Sequence, residues 1–288
     1  MISQERIKEY LNAGQMDVQI IEDSISEAGK RIATFQLKYW RAIHSELLTH
    51  RVFSRNASSS RAIPVAKMIK QVRENPAMPI HWGANQKGMQ AKEELKGHEL
   101  NQAQSKWLLS ANMAANMAQG MLDAGLHKQV SNRALEPFQH IHVVLTSTEF
   151  DNWEELRYHE DAQPEIWLLA KLMKEARGKS EPKLLKVGEW HMPYVLEEEK
   201  KIYSIEDQLK ISTARCCRVS YINHGMDKIC VEKDFELYHD LVGARPLHAS
   251  PTEHQARPEN KIEFGLHSNF KGWVQHRKIL EKSIYKNS

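Results

Sequence analysis

Cysteine is scarce in this chain. Cys216, Cys217 and Cys230 are the only ones in 288 residues, and none stands in a Cys-x-x-Cys pair. That excludes a disulfide framework and a zinc ribbon and points to a reducing cytoplasm, a host's cytoplasm if the source is viral. Long apolar runs are missing too, so no segment reads as a membrane span. The polar start, MISQERIKEYL, does not read as a signal peptide. Neither a Walker loop nor a Gly-x-Gly-x-x-Gly fingerprint occurs, which removes the commonest phosphate-binding signatures. No charge of one sign dominates: 40 basic residues face 37 acidic ones, for a net charge of +3. Basic residues interleaved with aromatic platforms are not evident, so nucleic acid is not an expected partner. What is present is ordinary for a globular protein, with 41% hydrophobic and 27% charged residues. The length suits one large domain or two small ones.

Residues 15–26 contain a short alternating segment that ends near Gly29. In RIATFQLKYW, Ile32, Thr34, Gln36 and Lys38 alternate with Ala33, Phe35, Leu37 and Tyr39, which predicts a strand. A helix should follow through WRAIHSELLTHR. The stretch SRNASSSRAIP has too many short polar side chains for a helix interior and reads as a polar loop. Helical spacing returns at 67–74. It returns again from about Ala91 to Asp123, where Trp107, Leu108, Ala111, Ala115, Ala118 and Leu122 trace one stripe and the methionines read as core. KQVSNRALEPF should open a helix broken at Pro137, and HIHVVLTST should be a strand. Residues 149–176 look helical with a kink at Pro164. Residues 178–211 are the linker candidate between a major part, 1–177, and a C-terminal segment, 212–288, packed into the same domain. That last segment reads as a strand around Cys216–Cys217, a helix, a turn at His248–His254 and a final helix around GWVQHRKILEKS. Short alternating strands do not suit a buried parallel sheet. The expected fold class is α+β, a largely antiparallel sheet with long helices.

Arg51 and Arg61 flank Ser54, Asn56, Ser58, Ser59 and Ser60. Guanidinium forks with hydroxyls and loop amides make a phosphate cradle; the competing reading is a solvated serine-rich loop with incidental arginines. Arg157 precedes a helix bearing Gln163 and Glu165, as a site arginine or as part of a surface salt-bridge ladder. His248, Glu253 and His254 gather two imidazoles and a carboxylate around one turn, with no further clustered metal ligand in the local spacing. Cys216 and Cys217 read as buried, inert thiols.

THRVFSRNASSSR resembles the signature of the flavin-dependent thymidylate synthases. Thr49-His50-Arg51, then Val52 through Ser58, then Ser59 and Arg61 reproduce its spacing. Arg157 followed by Ala162-Gln163-Pro164-Glu165-Ile166 is similar to the family's Arg…Ala-Gln-x-Glu-Ile helix. Ala214–Tyr221 and His248–His254 resemble two elements that the family carries at its N-terminus, so the order here is circularly permuted. Permutation is tolerated when termini lie close together at the surface. Trp273-Val274-Gln275-His276-Arg277 echoes the helix that precedes the signature.

The resemblance implies reductive methylation of dUMP to dTMP. Methylenetetrahydrofolate gives the carbon and NADPH the hydride, through FAD, and no metal takes part. It marks Arg157, Ser59 and His248 as closest to the chemistry. Glu46, Ser59, Arg61, Arg133 and Arg157 fall on nucleotide positions. Thr49, His50, Arg51, Asn152, Ser220, Ser250, Glu253, His276 and Arg277 fall on the flavin side or could compensate there. It also implies a homo-oligomer, usually a tetramer, with sites shared between subunits. Several positions depart from the family pattern: Thr49 and Thr148 replace arginines, Thr146 an asparagine, Glu46 a glutamine, Asp161 a histidine, and Ala57 an acidic residue. The altered nucleotide shell leaves two alternatives open: a hydroxymethylase acting on dUMP or dCMP, and a non-catalytic nucleotide-binding protein.

Overall fold

The alternation in RIATFQLKYW becomes strand β2 (Arg31–Trp40), hairpinned to β1 (Asp17–Ser26) through a turn in which Gly29 takes φ +73°. A side chain would strain that left-handed backbone. β2 also pairs with β4 (His140–Ser147), and β4 with the edge strand β3 (Ser54–Ala57). These pairings are antiparallel, while β5 (Lys183–Leu185) joins β1 in parallel, giving the order β3-β4-β2-β1-β5. β6 (Ala256–Pro258) and β7 (Trp273–Gln275) form a separate antiparallel pair. The fold is therefore α+β with a largely antiparallel sheet. The computed structural model describes residues 2–219, 230–243, 245–260, 263 and 265–285. Among them no helix is long and apolar enough to cross a membrane.

The strand period of two assigns successive side chains to opposite faces. Ala33, Phe35, Leu37 and Tyr39 of β2, with Ile141, Val143 and Leu145 of β4, pack under α6 (Asp151–Arg157) and α7 (Pro164–Lys179) in the main core. Burying each large apolar side chain there contributes roughly 1.5–3 kcal/mol. The even-numbered residues face the other way and are also covered. Ile32 meets Leu185, Phe270 and Trp273, and Val144 meets Cys216 and Val219. Thr34 and Thr146 bond each other and two histidines, as described below. The chain after residue 185 thus forms a second layer over the sheet.

Several sequence-based expectations change. Ser54–Ala57 is a strand rather than part of a polar loop, because its polar side chains find buried partners. Asn56 Nδ2 donates to the Cys216 carbonyl at 2.9 Å, and Ser54 Oγ accepts from Asn269 Nδ2 at 3.1 Å. The helix leading to Thr49 is short, a 3-10 turn (Arg41–Ile43) and then α2 (His44–Leu48). Pro164 does not kink a helix; it starts α7 at its first position, where the missing N–H costs nothing. Likewise α5 (Lys128–Ser131) passes into a 3-10 turn, Asn132–Phe138, that contains Pro137. Cys216 and Cys217 lie on α9 (Ile205–Arg218), not on a strand; every face of that helix end is packed, which erases a helical polarity pattern. Burial pushes both thiols up, Cys217 to about 11. Trp273–Gln275 is strand β7, and the final helix begins after it.

The 178–211 stretch is built into the domain. It supplies β5, the fully buried His191, helix α8 (Glu197–Ile202) and the start of α9. Arg215 of α9 bonds Glu199 at 2.6 Å and Asp234 at 2.9 Å, tying α9 to α8 and to α10 (Val231–Tyr238). At the other end of the domain, α3 (Val65–Glu74) packs on α4 (Gly97–Asp123) through Met68, Ile69, Val72, Ala111, Ala115 and Ala118. The methionines of α4 do not serve this core. Its buried stripe is filled by alanines, while Met113 and Met117 are exposed, as is Leu108.

Candidate functional site

The signature segment 49–61 runs along β3 and gathers three groups of side chains. The first lies where α2 ends. Thr49 Oγ1 donates to the Glu46 carbonyl at 2.7 Å, closing the helix. His50 sits behind it, buried, edge-on to Trp153 at 4.9 Å and stacked on Phe53. Arg157, the last residue of α6, reaches across to this corner. Its Nη1 donates to Glu46 Oε2 at 2.6 Å, its Nη2 to Thr49 Oγ1 at 3.3 Å, and its Nε to His50 Nε2 at 3.1 Å. The last bond makes His50 Nε2 an acceptor, so the neutral ring carries its proton on Nδ1. Burial, with Arg157 and Arg55 nearby, pushes the His50 imidazole down to about 4 and keeps it neutral at ordinary pH. Arg55 also donates to the His50 carbonyl at 2.9 Å.

Beside this corner is a recess of about 360 Å³, lined by Thr49, His50, Arg51, Val52, Glu149, Asp151, Asn152, Trp153 and Leu156. Arg51 and Asn152 are exposed at its rim, and the Arg51 guanidinium has no side-chain partner among the described residues. Trp153 Nε1 is buried without a hydrogen-bond partner among the described residues. A second recess of about 350 Å³ is lined by Arg41, Ala42, His44, Ser45, Leu48, Glu136 and Pro137.

The second group follows β3. Ser59 Oγ accepts from the Arg61 amide at 3.3 Å, and the Arg61 side chain is exposed. Asn132 Nδ2 donates to the Ser60 and Ile63 carbonyls at 2.7 and 2.9 Å, pinning this turn to the 132–138 turn. Glu136 of that turn pairs with Arg133 at 2.6 Å and Arg41 at 3.1 Å, and accepts from Ser60 Oγ at 3.2 Å. Ser59, Arg61 and Arg133 thus share one neighbourhood. Among the described residues, neither recess is lined by both Arg61 and Arg157.

The third group comes from the C-terminal segment against the edge of β3. Ser250 Oγ donates to Asn56 Oδ1 at 3.3 Å. Glu253 pairs with Arg277, which also bonds Glu281 at 2.6 Å within α11 (His276–Tyr285). His276 is buried against Trp190, and its Nδ1 has no hydrogen-bond partner among the described residues. His248 is exposed on the same segment. Ser220 lies outside the described residues.

No family model matches the chain, and no curated protein matches it. Among solved structures it is similar to the UMP/dUMP methylase PolB from Streptomyces cacaoi bound with 5-Br dUMP. That match has 15% identity and a TM-score of 0.44, covering 57% of this chain and 90% of that one. The same enzyme bound with 5-Br UMP gives 16% identity and a TM-score of 0.46, covering 57% of this chain and 89% of that one.

The positions that depart from the family pattern have structural partners here. Thr146 is fully buried, its hydroxyl 2.7 Å from Thr34 Oγ1 and 2.9 Å from His254 Nδ1. Thr148 Oγ1 accepts from the Lys271 amide at 3.0 Å. Sequence reasoning missed Glu149, Asp151, Arg55 and Arg41. The first two had a signal, since acidic residues directly after a strand and before a helix start sit at the carboxyl edge of a sheet. Arg55 and Arg41 had none, because their role depends on contacts set by the fold.

Proposed function

We propose that the chain is a flavin-dependent thymidylate synthase-type enzyme that converts dUMP to dTMP with methylenetetrahydrofolate and NADPH through FAD. One observation carries the reading. The signature segment, spaced as in that family, lies along β3 with Arg157 bonded to its first residues, Thr49 and His50, and to Glu46. A motif that matched by chance would have no reason to meet its distant partner arginine.

The residues fit the flavin in part. Arg51 is a cation at the rim without a side-chain partner among the described residues, suited to a pyrophosphate or to an electron-rich ring, and the His50–Trp153 wall is aromatic. A recess of about 360 Å³ is at the small end of ligand pockets, which run from about 300 to 1,000 Å³. A dinucleotide must therefore extend beyond it, toward the Ser250–Arg277 group or a neighbouring subunit. Bound FAD supplies the transfer of hydride from NADPH.

The chain's own residues would position and polarise the nucleotide, the phosphate and base groups coming from different copies of the chain, since neither recess is lined by both Arg61 and Arg157. Ser59, Arg61 and Arg133 offer a hydroxyl and two guanidinium groups to its phosphate. Arg157 holds a fixed positive charge where the pyrimidine gains electron density during carbon–carbon bond formation. Glu46 orients that guanidinium, and His50 accepts from its Nε, so its direction is set before substrate arrives.

Glu46 also supports a second reading. A carboxylate 2.6 Å from Arg157 offers an acceptor that an exocyclic amine would use, which suits dCMP, and trapping the methylene stage with water would yield a hydroxymethyl product. The test is an absorbance spectrum of the purified protein with and without added FAD. Product mass after incubation with methylenetetrahydrofolate, NADPH and either dUMP or dCMP follows. A methyl gain on dUMP supports the first reading, and a hydroxymethyl gain or dCMP turnover the second. A colourless protein that takes up no FAD and changes neither nucleotide overturns both and leaves a non-catalytic nucleotide binder.

A further inference from the structure

Glu136 belongs both to the second recess and to the neighbourhood of Ser59 and Arg61. It sits in the 3-10 turn Asn132–Phe138, which is locked on two sides. Trp40 Nε1 donates to the Pro137 carbonyl at 2.7 Å, and the Arg41 amide donates to the Gln139 carbonyl at 2.9 Å. Asn132 holds the Ser60 and Ile63 carbonyls. The fold therefore sets the carboxylate position before any ligand arrives. Its partners are all on one oxygen. Arg133 Nη1, Arg41 Nη2 and Ser60 Oγ approach Oε1, at 2.6, 3.1 and 3.2 Å. Oε2 accepts no hydrogen bond among the described residues, and Glu136 lines the recess.

His44 lines the same recess. Its Nδ1 lies 2.7 Å from the hydroxyl of the fully buried Tyr39, which has no other hydrogen-bond partner among the described residues. Burial pushes that phenol far up, so it stays protonated and donates. Nδ1 is thus the acceptor, and the neutral ring carries its proton on Nε2. Burial, with Arg41 and Arg55 adding to it, pushes His44 down to about 4 and keeps it neutral at ordinary pH. Nε2 has no partner among the described residues. The recess therefore offers one carboxylate oxygen that accepts and one neutral N–H that donates, beside an apolar wall of Ala42, Leu48 and Pro137. A hydroxyl on a C–H frame uses all three, because it donates and accepts at one atom. Carboxylates hold the sugar hydroxyls of nucleotides in this way.

We propose that Glu136 and His44 hold the 3′-hydroxyl of a nucleoside 5′-monophosphate, which donates to Glu136 Oε2 and accepts from His44 Nε2. The inference rests on the proposed nucleotide reading, which sets the phosphate on Ser59, Arg61 and Arg133. Glu136 joins the two parts, since its Oε1 already bonds Arg133 and Ser60. A 5′-phosphate and its own 3′-hydroxyl are a few covalent bonds apart, so one ligand spans both, and its base is left to reach Arg157 of a second copy. The pairing also assigns the substrate class. In a polynucleotide the 3′ oxygen is esterified, cannot donate, and brings a phosphate toward the Glu136 carboxylate. The site selects free nucleotides over chain-bound ones.

Calorimetric titration of the full-length chain, with FAD added, tests this with dUMP, 2′,3′-dideoxyuridine 5′-monophosphate and 2′-deoxyuridine 3′,5′-bisphosphate. The wild type should bind dUMP at least ~10-fold more tightly than the dideoxy analogue, as the loss of a hydrogen bond to a charged group implies. It should bind the bisphosphate more weakly than dUMP. Glu136→Ala also releases Arg133 and Arg41, so the diagnostic quantity is the ratio of dUMP to dideoxy affinity. That ratio should fall at least ~3-fold in Glu136→Ala and in His44→Phe. Equal wild-type affinity for dUMP and the dideoxy analogue, a bisphosphate bound as tightly as dUMP, or an unchanged ratio in either folded variant would overturn the inference and leave the nucleotide reading standing. A chain that binds none of the three overturns both.

Discussion

On one side of the central sheet, β2 and β4 turn Phe35, Leu37 and Leu145 into an apolar layer under α6 and α7. On the other side the same strands turn Thr34 and Thr146 into a buried polar chain. Ser24 Oγ lies 2.9 Å from His191 Nδ1, His191 Nε2 lies 2.8 Å from Thr34 Oγ1, and the chain continues through Thr146 to His254. All five residues have no exposed surface. Both sides are closed to water, yet they resist change differently. The apolar side is held by area, which is non-directional and spread over many contacts. The polar side is held by a chain in which each hydroxyl donates once, so one break strands its neighbours. It also ends at His254 Nε2, an atom without a hydrogen-bond partner among the described residues.

The largest effect is expected on the apolar side. Phe35→Ala removes a fully buried ring packed edge-on to Phe150 and should cost about 3–5 kcal/mol, read from the urea midpoint at constant slope. Thr34→Val keeps the shape but leaves His191 Nε2 and the Thr146 hydroxyl each short of a partner, and should cost about 1–3 kcal/mol. Adding Thr146→Val should cost less than the sum of the single changes, because the groups share one chain. Strict additivity in that cycle would remove the cooperative picture.

Acid separates the two sides next. Burial, with His254 and Lys200 adding to it, pushes His191 down to about 3; burial alone pushes His254 down to about 3. Unfolded imidazoles titrate near 6.5, so the unfolded chain binds more protons between these values. The stability these histidines contribute is therefore complete above about pH 6.5 and is lost as pH falls toward about 3. Phe35→Ala should lower the unfolding free energy equally at every pH. His191→Gln should flatten the slope by about one proton, while His140 and His276, pushed down by burial to about 3 and about 4, keep part of it. The smallest effect is expected at the rim of the polar side. Arg277→Ala breaks pairs with Glu253 and Glu281 that are partly exposed, and should change stability by no more than about 1 kcal/mol. Under the proposed flavin reading, FAD affinity, followed by flavin fluorescence, should fall in this variant; an unchanged affinity takes Arg277 out of that proposal.

The same comparison accounts for what could be read in advance. The alternation of Ile32, Thr34, Gln36 and Lys38 with Ala33, Phe35, Leu37 and Tyr39 separates the faces of β2 correctly. It could not say that Thr34 is as buried as Phe35. His191 and Tyr194, which cover that face, come from a stretch whose Pro, Lys and Glu content reads as a linker; Tyr194 donates to Gln36 at 2.9 Å. Ser54 and Asn56 read as loop because their partners, Asn269 and Cys216, are far along the chain. Cys216 and Cys217 read as strand because a helix buried on every side has no polar face. For the candidate site, resemblance supplied Glu46, Thr49, His50 and Arg157 as names. Their mutual bonds, and the distance of Arg61 from that recess, follow from how α2, β3 and α6 are packed.

The sequence by itself determined the elements whose period is clean, strands β2 and β4 and helices α3 and α4, and which residue types are gathered near the signature. These depend on neighbours a few positions apart, and period alone encodes them. Tertiary structure decided which polar residues are buried, which apolar ones are left uncovered on α4, and which charges meet. Those outcomes depend on groups brought together from distant positions, and burial changes the energy of a hydroxyl, an imidazole or a carboxylate far more than that of a methylene.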